Sequence, residues 1–256
     1  MDKNWSTEIT KISPNELLIR GYPLDELIGS ISYAAGIFLT IKGELPSSQE
    51  ERVINAILIA TMDHGTTAPS TVAARTVASC GVPITTAIAA GISAIGDYHG
   101  GAGENCMKNL NKALNDYDES KSLEEIAKNL VIESKKQKKR IPGFGHRFHT
   151  NDPRTVKLLE IAKQEGISGI HVKLATLIAE ELTKQSDRQL PLNVDGAIGA
   201  LLADMGFETQ TGKAFFAISR ITGLTAHILE EYRERPVRTI IPSKAKYSGP
   251  NKRQLL

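Results

Sequence analysis

Almost nothing in this chain alternates as a β-strand does. Only residues 16–22, Glu-Leu-Leu-Ile-Arg-Gly-Tyr, read as extended, closed by Gly21 and Pro23, and the chain after them carries apolar residues at helical spacing. That excludes sheet-based folds and predicts an all-α protein with a short extended N-terminal segment. Residues 24–41 set Leu24, Leu27, Ile28, Ile31, Ala34, Ala35 and Phe38 on one stripe. Ser47 or Ser48 ahead of Glu50 and Glu51 predicts a capped helix running through Ile54, Ile57, Leu58 and Met62, with Asp63 and His64 at its end. Small residues fill 66–81, and Ala87, Ala89, Ala90, Gly91, Ala94 and Gly96 follow, which predicts close helix packing within the chain or at a dimer seam. Further helices are expected over 107–114, 123–134, 156–164, 172–184, 197–205 and 213–229.

At 256 residues the chain can bury a core as one domain or two unequal lobes. The expected division is a large helical domain in two parts, 1–140 and 213–256, around or beside a smaller helical domain, 141–212. Residues 243–256, basic and poorly periodic, read as a flexible tail or an arm lying on a neighbour. Lys and Arg total 31 against 29 Asp and Glu, a formal charge of +2, so no global field points to nucleic acid and an anion must be met locally. Cys80 and Cys106 have no metal or redox spacing. No signal pattern and no membrane-length apolar run is present, so a soluble cytoplasmic protein is expected.

Chemistry concentrates in the interruptions between helices. Residues 141–154 hold Gly143, Gly145, Pro142 and Pro153 among His146, Arg147, His149 and Arg154, a loop suited to an anion or, equally, a solvated connector. The run before it, Lys135-Lys136-Gln137-Lys138-Lys139-Arg140, suits a helix C-terminus, or phosphates. Asp97-Tyr98-His99-Gly100-Gly101-Ala102-Gly103-Glu104 is a second candidate ligand loop, and Asp195 stands where a helix N-cap would. Four loops thus set an ionisable group beside glycine: His64-Gly65, His99-Gly100, Gly145-His146 and Asp195-Gly196. A carboxylate can take a proton from carbon only if the resulting charge is stabilised as it forms, which two histidine donors would do. The histidines lack zinc spacing, and neither a phosphate-binding Gly-Lys loop nor a Gly-x-Ser-x-Gly elbow occurs, so no metal and no dinucleotide fold is expected.

Six blocks, in order, resemble the signatures of the citrate synthase superfamily: Asp63-His64-Gly65; His99-Gly100-Gly101-Ala102-Gly103-Glu104; Gly143-Phe144-Gly145-His146-Arg147 with Asp152-Pro153-Arg154; Asn193-Val194-Asp195-Gly196; Ile218-Ser219-Arg220; and Glu234-Arg235-Pro236. The resemblance implies a mostly helical homodimer in which a small domain closes on a large one over oxaloacetate and acetyl-CoA, with shared active sites. Asp63-His64-Gly65, Gly145-His146-Arg147 and the run Asn193-Val194-Asp195-Gly196-Ala197-Ile198-Gly199 are most similar to the citryl-CoA lyase module of ATP-citrate lyase, whereas the histidine of the His99 loop is similar to synthases. The direction of the reaction therefore stays open: citryl-CoA lyase first, citrate synthase second, a non-catalytic subunit of a larger complex third.

The same resemblance implies roles. His99, His146 and Asp195 would be catalytic: His146 on the oxaloacetate oxygen, His99 on the thioester oxygen, Asp195 exchanging the carbon-bound proton. His64, Arg154 and Arg220 would bind the carboxylated substrate, with Arg235 supplied by the partner subunit. Lys138, Lys139, Arg140, Gly143 and Gly145 are the expected coenzyme A contacts. Coenzyme A enters as a thioester substrate rather than a tightly bound cofactor, and a separate citryl-CoA synthetase is a possible partner.

Overall fold

The computed structural model describes residues 6–116, 121–145 and 152–237. Where one extended segment was expected there is a three-stranded antiparallel sheet in the order β1 (Thr10–Ser13), β2 (Glu16–Ile19), β3 (Tyr22–Pro23). Arg20 and Gly21 both have positive φ and make the tight β2–β3 turn, so the predicted extended run is a hairpin. Eleven helices follow among the described residues.

The stripe over 24–41 is broken. Helix α1 is the single turn Leu24–Leu27; Gly29 then takes positive φ, and α2 (Tyr33–Lys42) starts afresh on Ser32, whose side chain accepts from the Ala35 amide. Helix α3 (Ser48–Thr61) opens with the expected capping box, Ser47 and Glu50 each accepting from the other's amide. Helices α4 (Pro69–Ala78) and α5 (Ile84–Ser93) follow; α6 (Ala102–Asn115) begins five residues earlier than expected, directly after Gly100-Gly101. Then come α7 (Leu123–Lys136), α8 (Pro153–Gln164), α9 (Ile170–Lys184), α10 (Val194–Asp204) and the long α11 (Thr211–Glu231).

The site is built around α10, in which every residue except Asp195 and Asp204 is buried. A helix apolar on all sides belongs inside, and α6 and the segment ahead of residue 146 close over it. The approach is backbone to backbone: a Cβ on Gly199 would lie 2.5 Å from the Gly103 carbonyl, and one on Gly196 would lie 2.3 Å from the Gly143 carbonyl. These glycines of the sequence motifs therefore serve close packing. The main apolar cluster runs from Ala34 to Phe215, drawing on all three predicted segments. A second, smaller one joins Ala74 and Ala78 of α4, Ala87 of α5, and Leu224 and Ile228 of α11, so part of the small-residue run is used within the chain. Among the described residues no helix is long and apolar enough to cross a membrane.

Candidate active site

Three side chains or amides of α11 take up the carbonyls at the C-terminus of α3. Ser219 Oγ donates to the Leu58 carbonyl, Arg220 Nε to Thr61 at 3.1 Å and the Gly223 amide to Met62 at 3.1 Å. The last carbonyls of a helix have no partner within it, so this capping from outside fixes where α3 stops and where Asp63-His64-Gly65 emerges.

His99 closes a four-residue turn in which Gly96 and His99 exchange backbone hydrogen bonds of 2.9 and 3.0 Å. Its Nε2 lies 3.3 Å from the Ser70 amide, which donates to it, and 2.8 Å from Ser70 Oγ. A backbone amide can only donate, so Nε2 is unprotonated and the neutral ring carries its proton on Nδ1. Burial first, then Arg220 and His64, hold the His99 pKa below the ordinary histidine value, which keeps the ring neutral. His64 is lowered likewise, by burial and then by Arg154 and Arg220.

Asp195 was expected at an N-cap position. The cap is Asn193, whose side chain accepts from the Gly196 amide at 3.0 Å; Asp195 is two residues on, inside the first turn. Asn193 also sews down the segment ahead of residue 146: its Nδ2 donates to the Gly145 carbonyl at 3.0 Å and its amide to Gly143 at 3.0 Å, while the Gly145 amide donates to Pro191 at 2.7 Å. Burial raises the Asp195 pKa, against the pull of Arg154 and Arg220.

Asp152 caps α8 and clamps Arg154 twice, accepting from Nε at 3.0 Å and Nη2 at 2.8 Å, so the guanidinium is aimed with Nη1 3.5 Å from His64 Nδ1. Arg220 is 2 % exposed, its guanidinium 4.6 Å over the Phe216 ring, and its Nη1 is buried without a hydrogen-bond partner among the described residues. An unpaired buried cationic donor is costly, and a ligand carboxylate is the group that would satisfy it.

His64, His99, Arg154, Asp195 and Arg220 thus line one cavity of about 180 Å³, joined by Thr61, Tyr98 and Phe216. His146 lies outside the described residues, though Gly145 beside it is pinned at the start of α10. Lys139 and Arg140 line a different cavity, about 460 Å³, between α6 and α7, together with Lys112 and Lys121; Lys138 is exposed with positive φ and does not line it. Arg235 is exposed beyond α11, away from the cavity, on an end tied to the α4–α5 side by Tyr232 Oη donating to Val82 at 2.8 Å and the Val237 amide to Ser79 at 3.0 Å.

Sequence reasoning passed over Ser70, Phe216 and His227, and took Tyr98 only as part of the His99 loop. Only His227 had a readable signal, since it stands seven residues after Arg220 on the same face of one helix. Ser70 comes to His99 from 29 positions away.

The profile described as citrate synthase, C-terminal domain, matches residues 32–242. Citrate synthase 2 of Bacillus subtilis is 34% identical over 226 residues, covering 87% of this chain and 58% of that protein. The glyoxysomal citrate synthase of Cucurbita maxima is 31% identical over 214 residues, 80% of this chain and 39% of the other. This chain spans about half the length of these curated relatives. The solved structure of citryl-CoA lyase from Hydrogenobacter thermophilus superposes with a TM-score of 0.90 at 41% identity, covering 99% of this chain and 98% of that one. ATP citrate lyase from Methanosaeta concilii, solved in complex with (3S)-citryl-CoA, shares the fold at 23% identity and a TM-score of 0.84, over 98% of this chain and 42% of that one.

Proposed function

The chain belongs to the citrate synthase family, and from that premise we propose that it is a citryl-CoA lyase, cleaving citryl-CoA to acetyl-CoA and oxaloacetate. The observation that carries this reading is the meeting, in one cavity, of a carboxyl with raised proton affinity, a neutral histidine with its proton on Nδ1 and two arginines. In cleavage the tertiary hydroxyl of citryl-CoA loses its proton as its oxygen becomes the oxaloacetate carbonyl, and the electrons of the breaking carbon–carbon bond pass to the acetyl-CoA enolate. His99 Nδ1–H holds the enolate oxygen, and Asp195, protonated, delivers a proton to the enolate carbon. A pKa pushed up by burial is what such an acid needs. His146 would hold the hydroxyl oxygen and accept its proton. Arg154 and Arg220 offer planar forks to the carboxylates, His64 completes that side, and Arg235 would arrive from the partner subunit of a homodimer.

Coenzyme A would run from this cavity towards the α6–α7 cavity, where Lys112, Lys139 and Arg140 would meet its phosphates. Arg140 and Gly143 are three residues apart, at most about 10 Å of chain, so one extended ligand could reach both. The division into 1–140 with 213–256 and 141–212 then supplies the closure. The similarity to the Hydrogenobacter lyase over nearly the whole of both chains supports this over a synthase. Hydrolysis of citryl-CoA in the site, making the protein a citrate synthase, is the second reading, supported by the names of the curated relatives and by His99. In either case the protein would work in the cytoplasm, with citryl-CoA made by a separate synthetase for the lyase.

The test is to incubate the protein with citryl-CoA, and separately with acetyl-CoA and oxaloacetate, following acetyl-CoA, free coenzyme A and citrate. Release of acetyl-CoA without free coenzyme A is expected. Net formation of citrate and free coenzyme A would make it a synthase, and no turnover in either mixture would overturn both readings.

A further inference from the structure

Arg75 is a nearly buried arginine outside the cavity, on the same inward stripe of α4 as Ser70. Its Nε donates to Glu231 Oε2 at 2.6 Å and its Nη1 to Glu230 Oε2 at 2.7 Å, both at the end of α11. Two carboxylates hold this guanidinium, and its Nη1 also lies 3.3 Å from Nδ1 of His227. A guanidinium has no acceptor, so this contact needs Nδ1 unprotonated and the ring proton on Nε2; Glu230 Oε2 is farther from the same Nδ1, at 3.8 Å. That nitrogen lies 3.0 Å from Asp63 Oδ1 and donates to it. The other Asp63 oxygen accepts from the Gly65 amide at 2.9 Å, closing a turn around His64. The whole line, from Glu231 through Arg75, His227 and Asp63, ends on the residue whose imidazole faces Arg154 in the cavity.

We infer that α4 orients both cavity histidines, His99 directly through Ser70 and His64 through the relay Arg75–His227–Asp63, and that Arg75 and His227 are positioning residues for substrate binding. The two halves are independent contacts from one rigid element. Side chains that aim a substrate-binding group must themselves be locked by hydrogen bonds, and here the lock includes the tautomer of His227. The inference rests on the proposed function for the substrate that His64 meets, but the relay itself is a property of the protein alone.

The experiment exploits which nitrogen does the holding. The side-chain amide of Gln can place its nitrogen where Nε2 stands, whereas that of Asn is too short and reaches only the Nδ1 position. His227→Gln should therefore keep the relay and His227→Asn should break it. In the synthetic direction His227→Asn is expected to raise KM for oxaloacetate about tenfold, the size of one lost hydrogen bond, with kcat changed much less. His227→Gln should stay within about threefold of the parent. Without any substrate, the His64 ring followed by NMR should titrate nearer the ordinary histidine value in His227→Asn, because it moves off Arg154, and should be unmoved in His227→Gln. Asp63→Asn, at a more exposed position, should reproduce the rise in KM, since a single amide oxygen cannot serve both the Gly65 amide and Nε2–H; the titration is read in the His227 variants, which keep the Asp63 charge that raises the His64 pKa. Equal behaviour of the Asn and Gln variants of His227 in both readouts, or an unchanged KM for oxaloacetate in folded Asp63→Asn, would overturn the relay. An unmodified protein that fails to turn over oxaloacetate would instead strike at the proposed function, and the NMR comparison would still decide the relay.

Discussion

Asn193 caps α10 and Asp195 does not, and this offset of two residues is what lets the Asp195 side chain line the cavity while the helix keeps its cap. Replacing Asp195 by Asn therefore removes the acid–base group without touching the start of the helix. The expected result is loss of activity by roughly 10² to 10⁴-fold, the range of a lost general acid or base, in a protein that folds normally. Stability should move the other way. A carboxyl with a higher pKa folded than unfolded holds its proton more tightly when folded, so its stabilisation is complete below the unfolded value and is lost as pH rises through the folded one. Above the unfolded value the group thus weakens the fold, and at pH 7 Asp195→Asn should melt no lower than the parent, the advantage vanishing on acidification. A clearly lower melting temperature at pH 7 would contradict this.

Ser70 offers His99 two donors, its amide and its hydroxyl, and the side chain can be removed while the amide stays. Ser70→Ala should lower kcat about three- to tenfold, one hydrogen bond of about 1 kcal/mol, with KM for oxaloacetate little changed. Steady-state kinetics in both substrates gives the answer; a rise in KM for oxaloacetate with kcat intact would put the contact on the wrong histidine.

The cations at the α6–α7 cavity should act on coenzyme A alone. Changing Lys112, Lys139 and Arg140 together to Gln is expected to weaken coenzyme A binding and flatten its dependence on salt, since exposed charges act through a screened field. Calorimetric titration at low and high salt, with oxaloacetate as the internal control, distinguishes this from a general loss of function. Unchanged coenzyme A affinity at low salt would return the run to a solvated helix end.

Arg235 stands away from its own cavity, so its expected role requires a neighbour. Mixing inactive Asp195→Asn with inactive Arg235→Ala under subunit exchange should restore about a quarter of parent activity, because half of the dimers are mixed and each has one intact site. Exchange demonstrated by mass tags without recovery would place Arg235 and Asp195 in the same site or remove Arg235 from it.

Gly199 tests the packing beneath the site. An Ala there would press its Cβ to 2.5 Å from the Gly103 carbonyl, backbone that cannot swing aside. Overpacking of this kind costs about 1 to 3 kcal/mol, and because Gly103 lies against Asp195 the loss should appear in both melting temperature and kcat. A variant as stable as the parent would show that α6 and α10 can slide apart.

The sequence by itself determined the helical class, the capped start at Ser47 or Ser48, and which residues carry chemistry, because those depend on spacing and residue type over a few positions. Glycine beside His64, His99 and Asp195 was visible; that much of it serves backbone contact between α6, α10 and residue 143 was not, since the partners lie dozens of positions apart. The break at Gly29 was hidden because its flanking apolar residues still fit a helical stripe. Only the tertiary structure decided what holds the cavity's groups. Ser70 and Arg75 are ordinary helix residues by any local rule, and their meaning comes from α4 and α11 packing side by side, which turns a serine amide and a guanidinium into donors to His99 and His227. It also decided the charge states. Burial first, then the nearby charges, sets the proton affinities of His64, His99 and Asp195, with Arg220 acting on all three and Arg154 on His64 and Asp195, and burial is a property of the packed chain, absent from any one stretch of it.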